Sequence, residues 1–506
     1  MAYNLPAVIY RLESHLIVLE ASKLIGLDLQ PDLALEAMTK DSDNTEDAPE
    51  AQTNLQQGMG KNYERLEFLG DAFLKMSTTI ALFSQIPDCD EFQYHVDRMV
   101  LICNQNLFNN ALELKLEESI RTKGFDRSSW YPEGLKLLKG RNYSSKNTHA
   151  LADKSIADVC EALIGAAYMT TRNGNNFDMA IQAVTTFVNH PNHKMAAYSD
   201  YYATFKVPEW QSAEARAVHY DLADKIEKKM GYKFTYPRLL RSAFTHPSYG
   251  SIYEGIPNYQ RLEFLGDALL DMVCVDYLFC RFPGADPQWL TEHKMAMVSN
   301  QFLGCLCVSL GLQKHMVSMT VGLQKEISDY VTAITGARTQ AEDEAETSGL
   351  GRDAYARNYW VREKQPPKSL PDIVEAYVGA VFVDSEYRYE EVQKFFNAHI
   401  LPYFRDMHLF DTYAQNHPVT LLSNILSTKF HCTEWSISLS DTDDENREFA
   451  AIKIAAGVMI HREVREHAFS DSGRYAKLKA AQKFLRRLKD MSIEEFRRAF
   501  NCDCSC

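Results

Sequence analysis

The sequence predicts a mostly α-helical chain, two homologous all-helical domains followed by a small α-β-β-β-α module, and three observations carry that expectation. The stretch YERLEFLGDAFLKM at 63–76 returns as YQRLEFLGDALLDM at 259–272, identical at eleven of fourteen positions. A second frame, K-S-x-x-D-x-x-E-A-x-x-G-A, reads KSIADVCEALIGAAY at 154–168 and KSLPDIVEAYVGAVF at 368–382, in the same order in each half. After about residue 413 the apolar pattern changes from helical spacing to alternation and back. The 196-residue offset between the copies is domain-sized, too long for a solenoid repeat.

These signals divide the chain into a first domain at 5–190, a linker at 191–216, a second domain at 217–405, the module at 414–490 and a cysteine-containing tail at 491–506. Both halves show apolar residues at three- and four-residue spacing, as in HKMAMVSNQFLGCLCVSLGL at 293–312, which reads as helix. Residues 41–62 are polar, acidic and without period, and predict a loop. The stretch 339–358 lacks a clear period and predicts a surface insertion. In the module, HPVTLLSNILSTKF predicts a helix, EWSISLS, EFAAIKIAA and VMIHREVREH predict three strands, and SGRYAKLKAAQKFLRRLKDM predicts the closing helix.

With 506 residues, 45% apolar and 24% charged, the chain has the composition of a soluble globular protein of roughly three domains. No apolar run is long enough to span a bilayer and the N-terminus lacks the pattern of a signal peptide, so an intracellular protein, cytoplasmic and/or nuclear, is expected, with no membrane partner. The formal charge of −14 argues against a surface that binds nucleic acid everywhere, and leaves room for a local basic patch. Most of the eleven cysteines, among them Cys103, Cys160, Cys274 and Cys280, lie in apolar helical pattern and read as reduced core residues, as do Cys305 and Cys307.

On a helix, Glu67 and Asp71 share one face a turn apart, and Leu66, Phe68, Leu69, Phe73 and Leu74 leave little circumference for a solvated side. Asp158 and Glu161 form a second pair at i, i+3 among apolar neighbours. A buried carboxylate must be protonated, paired with a cationic side chain or bound to a metal ion. Four of them converging from two helices make an all-oxygen site suited to Mg²⁺ or Mn²⁺. The second half repeats the set as Glu263, Asp267, Asp372 and Glu375. Lys154 and Lys368 each precede an acid by four residues, as a helical ion pair or as a charge aimed at the site. Gly70 and Gly165 beside the acids suggest a close helix crossing.

The R-L-E-F-L-G-D segments at 65–71 and 261–267, each followed by D-x-x-E-A at 158–162 and 372–376, resemble the signature of the ribonuclease III family; LLRSAFTHPSY at 239–249 resembles the helix and turn that precede it. Its counterpart LALEAMTK at 33–40 keeps only the opening. Tandem domains followed by such a module look like the C-terminal part of the family's Dicer branch, with the Drosha branch as the nearest competitor. The helicase and PAZ domains that Dicers carry upstream have no counterpart in these residues.

The resemblance implies an endonuclease that cuts double-stranded RNA into short staggered-end duplexes for RNA silencing or antiviral defence. Glu67, Asp71, Asp158 and Glu161 would hold Mg²⁺ or Mn²⁺ in one centre, and Glu263, Asp267, Asp372 and Glu375 in the other. Lys154 and Lys368 would act as catalytic charges. The two halves would form an intramolecular pseudo-dimer, so a monomer is expected, with Argonaute-type or double-stranded-RNA-binding proteins as partners. The alternative is a non-catalytic double-stranded-RNA-binding or scaffold protein on the same fold.

The module resembles a double-stranded-RNA-binding domain. From Arg474 to Lys489 there are seven Lys/Arg and no acid, and Arg474 and Lys477 are the expected RNA contacts. The loop SDTDDENRE between the first two strands is acidic where phosphate should approach. Cys502, Cys504, Cys432 and His467 form a candidate zinc set, with His461 and Cys506 as substitute ligands; the other reading is a tail with chance cysteines.

Overall fold

The structure is a computed structural model. It describes residues 5–40, 61–86, 89–122, 151–174, 176–250, 254–349, 351–414, 418–441, 454–470, 473–489 and 491–504. Most of the expected loop at 41–62, the loop between the first two strands of the module and Cys506 therefore lie outside the described residues. The chain divides into two compact units, Met1–Asp406 and Met407–Cys506.

The first half of the first unit comprises α1 (Leu5–Leu24), α2 (Pro31–Ala37), α3 (Glu64–Gln85), α4 (Glu91–Ile102), α5 (Asn104–Glu113), α6 (Asp153–Thr171) and α7 (Asp178–Val188). The stretch expected to be a linker is built into the fold: it carries α8 (Ser199–Thr204) and α9 (Glu209–Ser212). Its Tyr201 and His193 are buried against Ser77 of α3, whose hydroxyl lies 2.9 Å from His193 Nε2. The second half contains α10 (Ala217–Met230), α11 (Pro237–Ala243), α12 (Gln260–Arg281), α13 (Pro287–Met297), α14 (Asn300–Ser309), α15 (Val321–Thr347), α16 (Ser369–Asp384) and α17 (Tyr389–Phe395).

Two expectations change here. The 293–312 stretch is two helices, because the Ser299 hydroxyl accepts the Phe302 N–H and starts α14 afresh. The stretch taken for an insertion at 339–358 is helical as far as Thr347, since α15 runs on as a long, mostly exposed helix that needs no apolar stripe along its whole length.

The centre of each half is one crossing, α3 on α6 and α12 on α16, and glycines set its closeness. A Cβ built on Gly70 would run into the Glu161 carbonyl, and one on Gly165 into the Leu66 carbonyl. Gly266 faces the Glu375 carbonyl and Gly379 the Leu262 carbonyl in the same way. The helices meet backbone to backbone, which is what brings acids of different helices together. Gly266→Ala should therefore destabilise the chain by about 3 kcal/mol or more, as overpacking against backbone does. Thermal unfolding checks this; an unchanged midpoint would contradict the close crossing.

The two halves pack through α3 and α12 with matching contacts. Arg98 lies over the Phe264 ring at 4.5 Å and Lys294 over Phe68 at 5.5 Å. Arg65 lies over Phe279 at 4.8 Å and Arg261 over Phe83 at 5.5 Å. Each pair joins positions that the duplication makes equivalent, so the halves are related by an approximate twofold axis.

The second unit contains α18 (Pro418–Asn424), continued by a wider helical turn at Ile425–Lys429, then β1 (Trp435–Asp441), β2 (Ile454–Ile460), β3 (Glu463–Ser470), α19 (Gly473–Leu488) and α20 (Ile493–Phe500). The antiparallel sheet has the order β1-β2-β3. Its buried face (Ala456, Val458, Ile460) packs with Leu422, Leu426, Ala480 and Phe484 of the helices. The segment VMIHREVREH, expected to be one strand, contains a turn: His461 and Arg462 have φ of 50° and 65°, a two-residue hairpin loop without the usual Asn or Gly. The expected tail is structured as well. Ser492 and Glu495 cap α20 reciprocally, and Phe496 and Phe500 are buried against Phe430 and Phe484.

Candidate metal centres

In the first half, Glu67 on α3 and Asp158 and Glu161 on α6 offer oxygens that all lie within 4.8 Å of one another. In the second half Glu263, Asp372 and Glu375 do the same. Lys154 Nζ lies 2.8 and 2.9 Å from the Asp158 oxygens and 3.6 Å from Glu67. Lys368 Nζ lies 3.3 Å from Glu263 and 3.7 Å from Asp372. Both lysines thus meet an acid on their own helix and one across the crossing, which a simple i, i+4 ion pair would not do.

Asp71 and Asp267 stand next to these groups without being gathered into them. Each adds to the charge felt by Glu161 or Glu375, respectively. Asp267 turns to the boundary between the halves, where Lys75 Nζ lies 2.8 Å away.

The electrostatics of the clusters are unfavourable in the absence of a cation. Burial, followed by the charge of Asp158, pushes Glu67 up to about 7. Burial and then Asp372 push Glu263 up to about 9, and burial raises Asp372 to about 6. Glu161 and Glu375 are raised well above the carboxylate range, first by burial and then by neighbouring acids. The buried Glu263 Oε2 has no hydrogen-bond partner. Three converging oxygens and a shortage of positive charge in each cluster, with an orphaned acceptor in the second, fit a hard divalent cation.

A pH dependence follows. An acid whose folded pKa exceeds its unfolded value, near 4, binds more protons in the native state, so the metal-free chain should gain stability as pH falls from about 9 towards about 4.5. A divalent cation competes with those protons and should raise the unfolding temperature more at pH 8.5 than at pH 6. Calorimetry with and without Mg²⁺ reads this directly, and an equal shift at both pH values would contradict it.

Two features escaped the reading of the sequence. Tyr63 and Tyr259, which open the two repeated stretches, donate to Asp158 at 3.4 Å and Asp372 at 3.0 Å; their identity in both copies was the available signal. Glu91, at the start of α4, crosses to the second centre, where Gln260 donates to it and its charge acts on Lys368 and Glu263. Asp90 and Asp286 are equivalent N-caps, and the residue after Asp286 is Pro287, so duplication gave no hint of this acid.

In the second unit, Cys432, His461, Cys502 and Cys504 bring their ligand atoms within 4.8 Å of one another. His461 Nε2 lies 3.8 Å from Cys432 Sγ and 3.6 Å from Cys504 Sγ. Two ligands on tetrahedral zinc, at Zn–S of about 2.3 Å and Zn–N of about 2.05 Å, stand about 3.6 Å apart. His461 Nδ1 faces Glu434 at 3.2 Å, which fixes the ring with Nε2 towards the sulfurs. Burial and then the neighbouring Cys502 push Cys432 up to about 12, whereas the Thr433 backbone N–H brings Cys504 down to about 7. The histidine is therefore His461 in place of His467. The hairpin turn puts His461 at the strand end near Cys432, while His467 lies along β3 opposite Gly457, its ring against Phe469.

Of the expected RNA contacts, Lys477 is half-buried on α19, and the side chain of Arg474 lies outside the described residues. Two other basic residues of this helix are engaged with β3: Lys483 donates to the His467 carbonyl and Arg487 to that of Arg465.

With this geometry in view, comparison with known proteins gives a consistent class. The ribonuclease III domain family matches residues 64–172 and again 260–386, and the dsRNA binding domain family matches 410–490. The chain thus falls in the class of proteins that carry two ribonuclease III domains in tandem, followed in sequence by a double-stranded-RNA-binding domain.

Within that class it is similar to Dicer-like proteins. It is 54% identical over 519 residues to Dicer-like protein 1 of Neurospora crassa, covering 99% of this chain and 33% of that protein. It is 53% identical over 520 residues to Dicer-like protein 1 of Cryphonectria parasitica, covering 100% of this chain and 34% of that protein. The chain thus spans about a third of the length of these curated relatives. The solved Dicer of Giardia intestinalis is a remote likeness, with 14% identity over 67% of this chain and 54% of that one and a TM-score of 0.37. Among the described residues no helix is long and apolar enough to cross a membrane.

Proposed function

We propose that the chain carries the cutting centres of a Dicer-like endoribonuclease and that each half severs one strand of an RNA duplex, leaving a staggered end. The observation that carries this reading is the twofold-related pair of Glu-Asp-Glu clusters, built by equivalent residues on equivalent helix crossings. Glu67, Asp158 and Glu161 would hold Mg²⁺ or Mn²⁺ in the first centre, and Glu263, Asp372 and Glu375 in the second, with Asp71 and Asp267 completing each set. Bound there, the cation supplies Lewis-acid polarisation of the scissile phosphate and neutralises charge on the departing oxygen.

The chain's own groups do the positioning. Lys154 and Lys368 hold the oxygens of two helices in register and present a cation at the cluster's exposed edge, where negative charge develops on the phosphate. Tyr63 and Tyr259 hold the second oxygen of Asp158 and Asp372. The Cys432, His461, Cys502 and Cys504 group is assigned to structural Zn²⁺, tying α20 to the start of the sheet. The role in RNA silencing or antiviral defence, the cytoplasmic or nuclear setting and an Argonaute-type partner belong to the same proposal.

The test is incubation of the purified chain with long duplex RNA and Mg²⁺. Short duplexes with staggered ends are expected; binding with every strand intact would favour a scaffold on the same fold.

A further inference from the structure

The two centres share their ligand sequence, and one of the positions at which their surroundings differ lies on the boundary between the halves. Lys75 of the first repeat is equivalent to Asp271 of the second. The twofold relation places these two residues face to face: Lys75 Nζ lies 3.5 Å from Asp271 Oδ2 and 2.8 Å from Asp267 Oδ2. Lys294 completes the group at 3.3 Å from Asp271 Oδ1. Lys75 and Lys294 are largely shielded from solvent, with side chains 22% and 20% exposed, and Asp271 is 7% exposed, so the Asp271 contacts are weakly screened, whereas Asp267 is 40% exposed.

The equivalent position in the first centre is arranged differently. No described lysine, arginine or histidine nitrogen lies within ion-pair distance of Asp71, and the residue that would reach it by symmetry from the second half is the carboxylate of Asp271. Lys294, and after it Lys75 and Arg98, act on Asp71 only from further away. The acid that completes the second centre is therefore tied in place by the first half of the chain, whereas the acid that completes the first centre has no such tie.

We propose that Lys75 is a positioning residue for the second centre alone: by engaging Asp267 Oδ2 across the boundary it fixes the carboxylate so that its other oxygen stays beside Glu375. The same Lys75–Asp271 contact makes the halves complementary to each other. Two second halves facing one another would set Asp271 against Asp271, and two first halves Lys75 against Lys75. The asymmetry thus does two things at once, pairing unlike halves and making one half a condition for the other half's cut. The inference rests on the endonuclease reading above.

The experiment uses the full chain with each centre silenced in turn, Glu161→Ala leaving only the second cut and Glu375→Ala only the first. Duplex RNA labelled on either strand reports each nick. In the Glu161→Ala background Lys75→Met should slow nicking by about tenfold or more, and Lys75→Arg, which keeps the charge, should restore it to within about threefold. In the Glu375→Ala background Lys75→Met should change nicking less than twofold. Equal losses in both backgrounds, or no loss in either, would overturn the inference while leaving the endonuclease reading intact. A wild-type chain that nicks neither strand would overturn both.

Discussion

Glu161→Ala is expected to leave a chain that nicks one strand of a duplex and spares the other, and Glu375→Ala a chain that does the reverse. Both residues are buried in their clusters, and the carboxyl of each is pushed upward by burial and by three neighbouring acids. Replacing either removes one anchoring oxygen set and part of the negative charge that makes the cluster attract a divalent ion. A loss of about 10³-fold in the affected cut, ~4 kcal/mol at the transition state, is the scale expected for removing one preorganised charge-stabilising group. The other centre lies across the twofold boundary with its own lysine and its own tyrosine, so its rate should hold. End-labelled duplexes resolved on a denaturing gel separate the two nicks. Loss of both cuts from either single change would contradict independent centres.

The second large effect concerns the C-terminal unit. Purified chain should contain one zinc per molecule, and Cys504→Ser or His461→Ala should bring that well below half, whereas His467→Ala should leave it unchanged. Structural zinc sites contribute free energies of about 10–16 kcal/mol in isolated fingers, where no other core exists. Here Leu422, Leu426, Phe430, Val458, Ile460 and Phe484 supply a core outside α20 that should hold the sheet and α19 together without the metal. The expected result of chelation is accordingly the release of α20 and the Cys502–Cys504 segment, with the sheet and α19 retained. Hydrogen exchange across 491–504 reads this. A wild-type chain that carries no zinc when prepared without chelator would end the assignment.

The repeated stretches and the repeated K-S-x-x-D-x-x-E-A frame were enough to place the two helical halves, the crossing glycines Gly70 and Gly165 and eight acids expected in fours, of which the structure gathers six in threes and leaves Asp71 and Asp267 beside them. Local spacing on a helix determines which side chains share a face, and duplication removes the ambiguity of a single occurrence. The cysteines of the Cys432, His461, Cys502 and Cys504 cluster were likewise legible, because a pair of thiols two residues apart outside any core pattern is a candidate ligand pair.

What the sequence left open depended on which distant elements meet. The sequence favours His467, with His461 only as a substitute, and it is the left-handed turn at His461 and Arg462, which carries no glycine or asparagine to announce it, that brings His461 to Cys432 instead. Glu91 reaches the second centre because the two halves face each other, and no repeat marks it, since Pro287 stands at the equivalent place. Lys75 meets Asp267 for the same reason. Sequence pattern determines the halves one at a time, by the periodicity of their helices. Contacts between unlike halves belong to the packing, where the duplicated code stops being symmetric and a single substituted position on the axis alters one centre without the other.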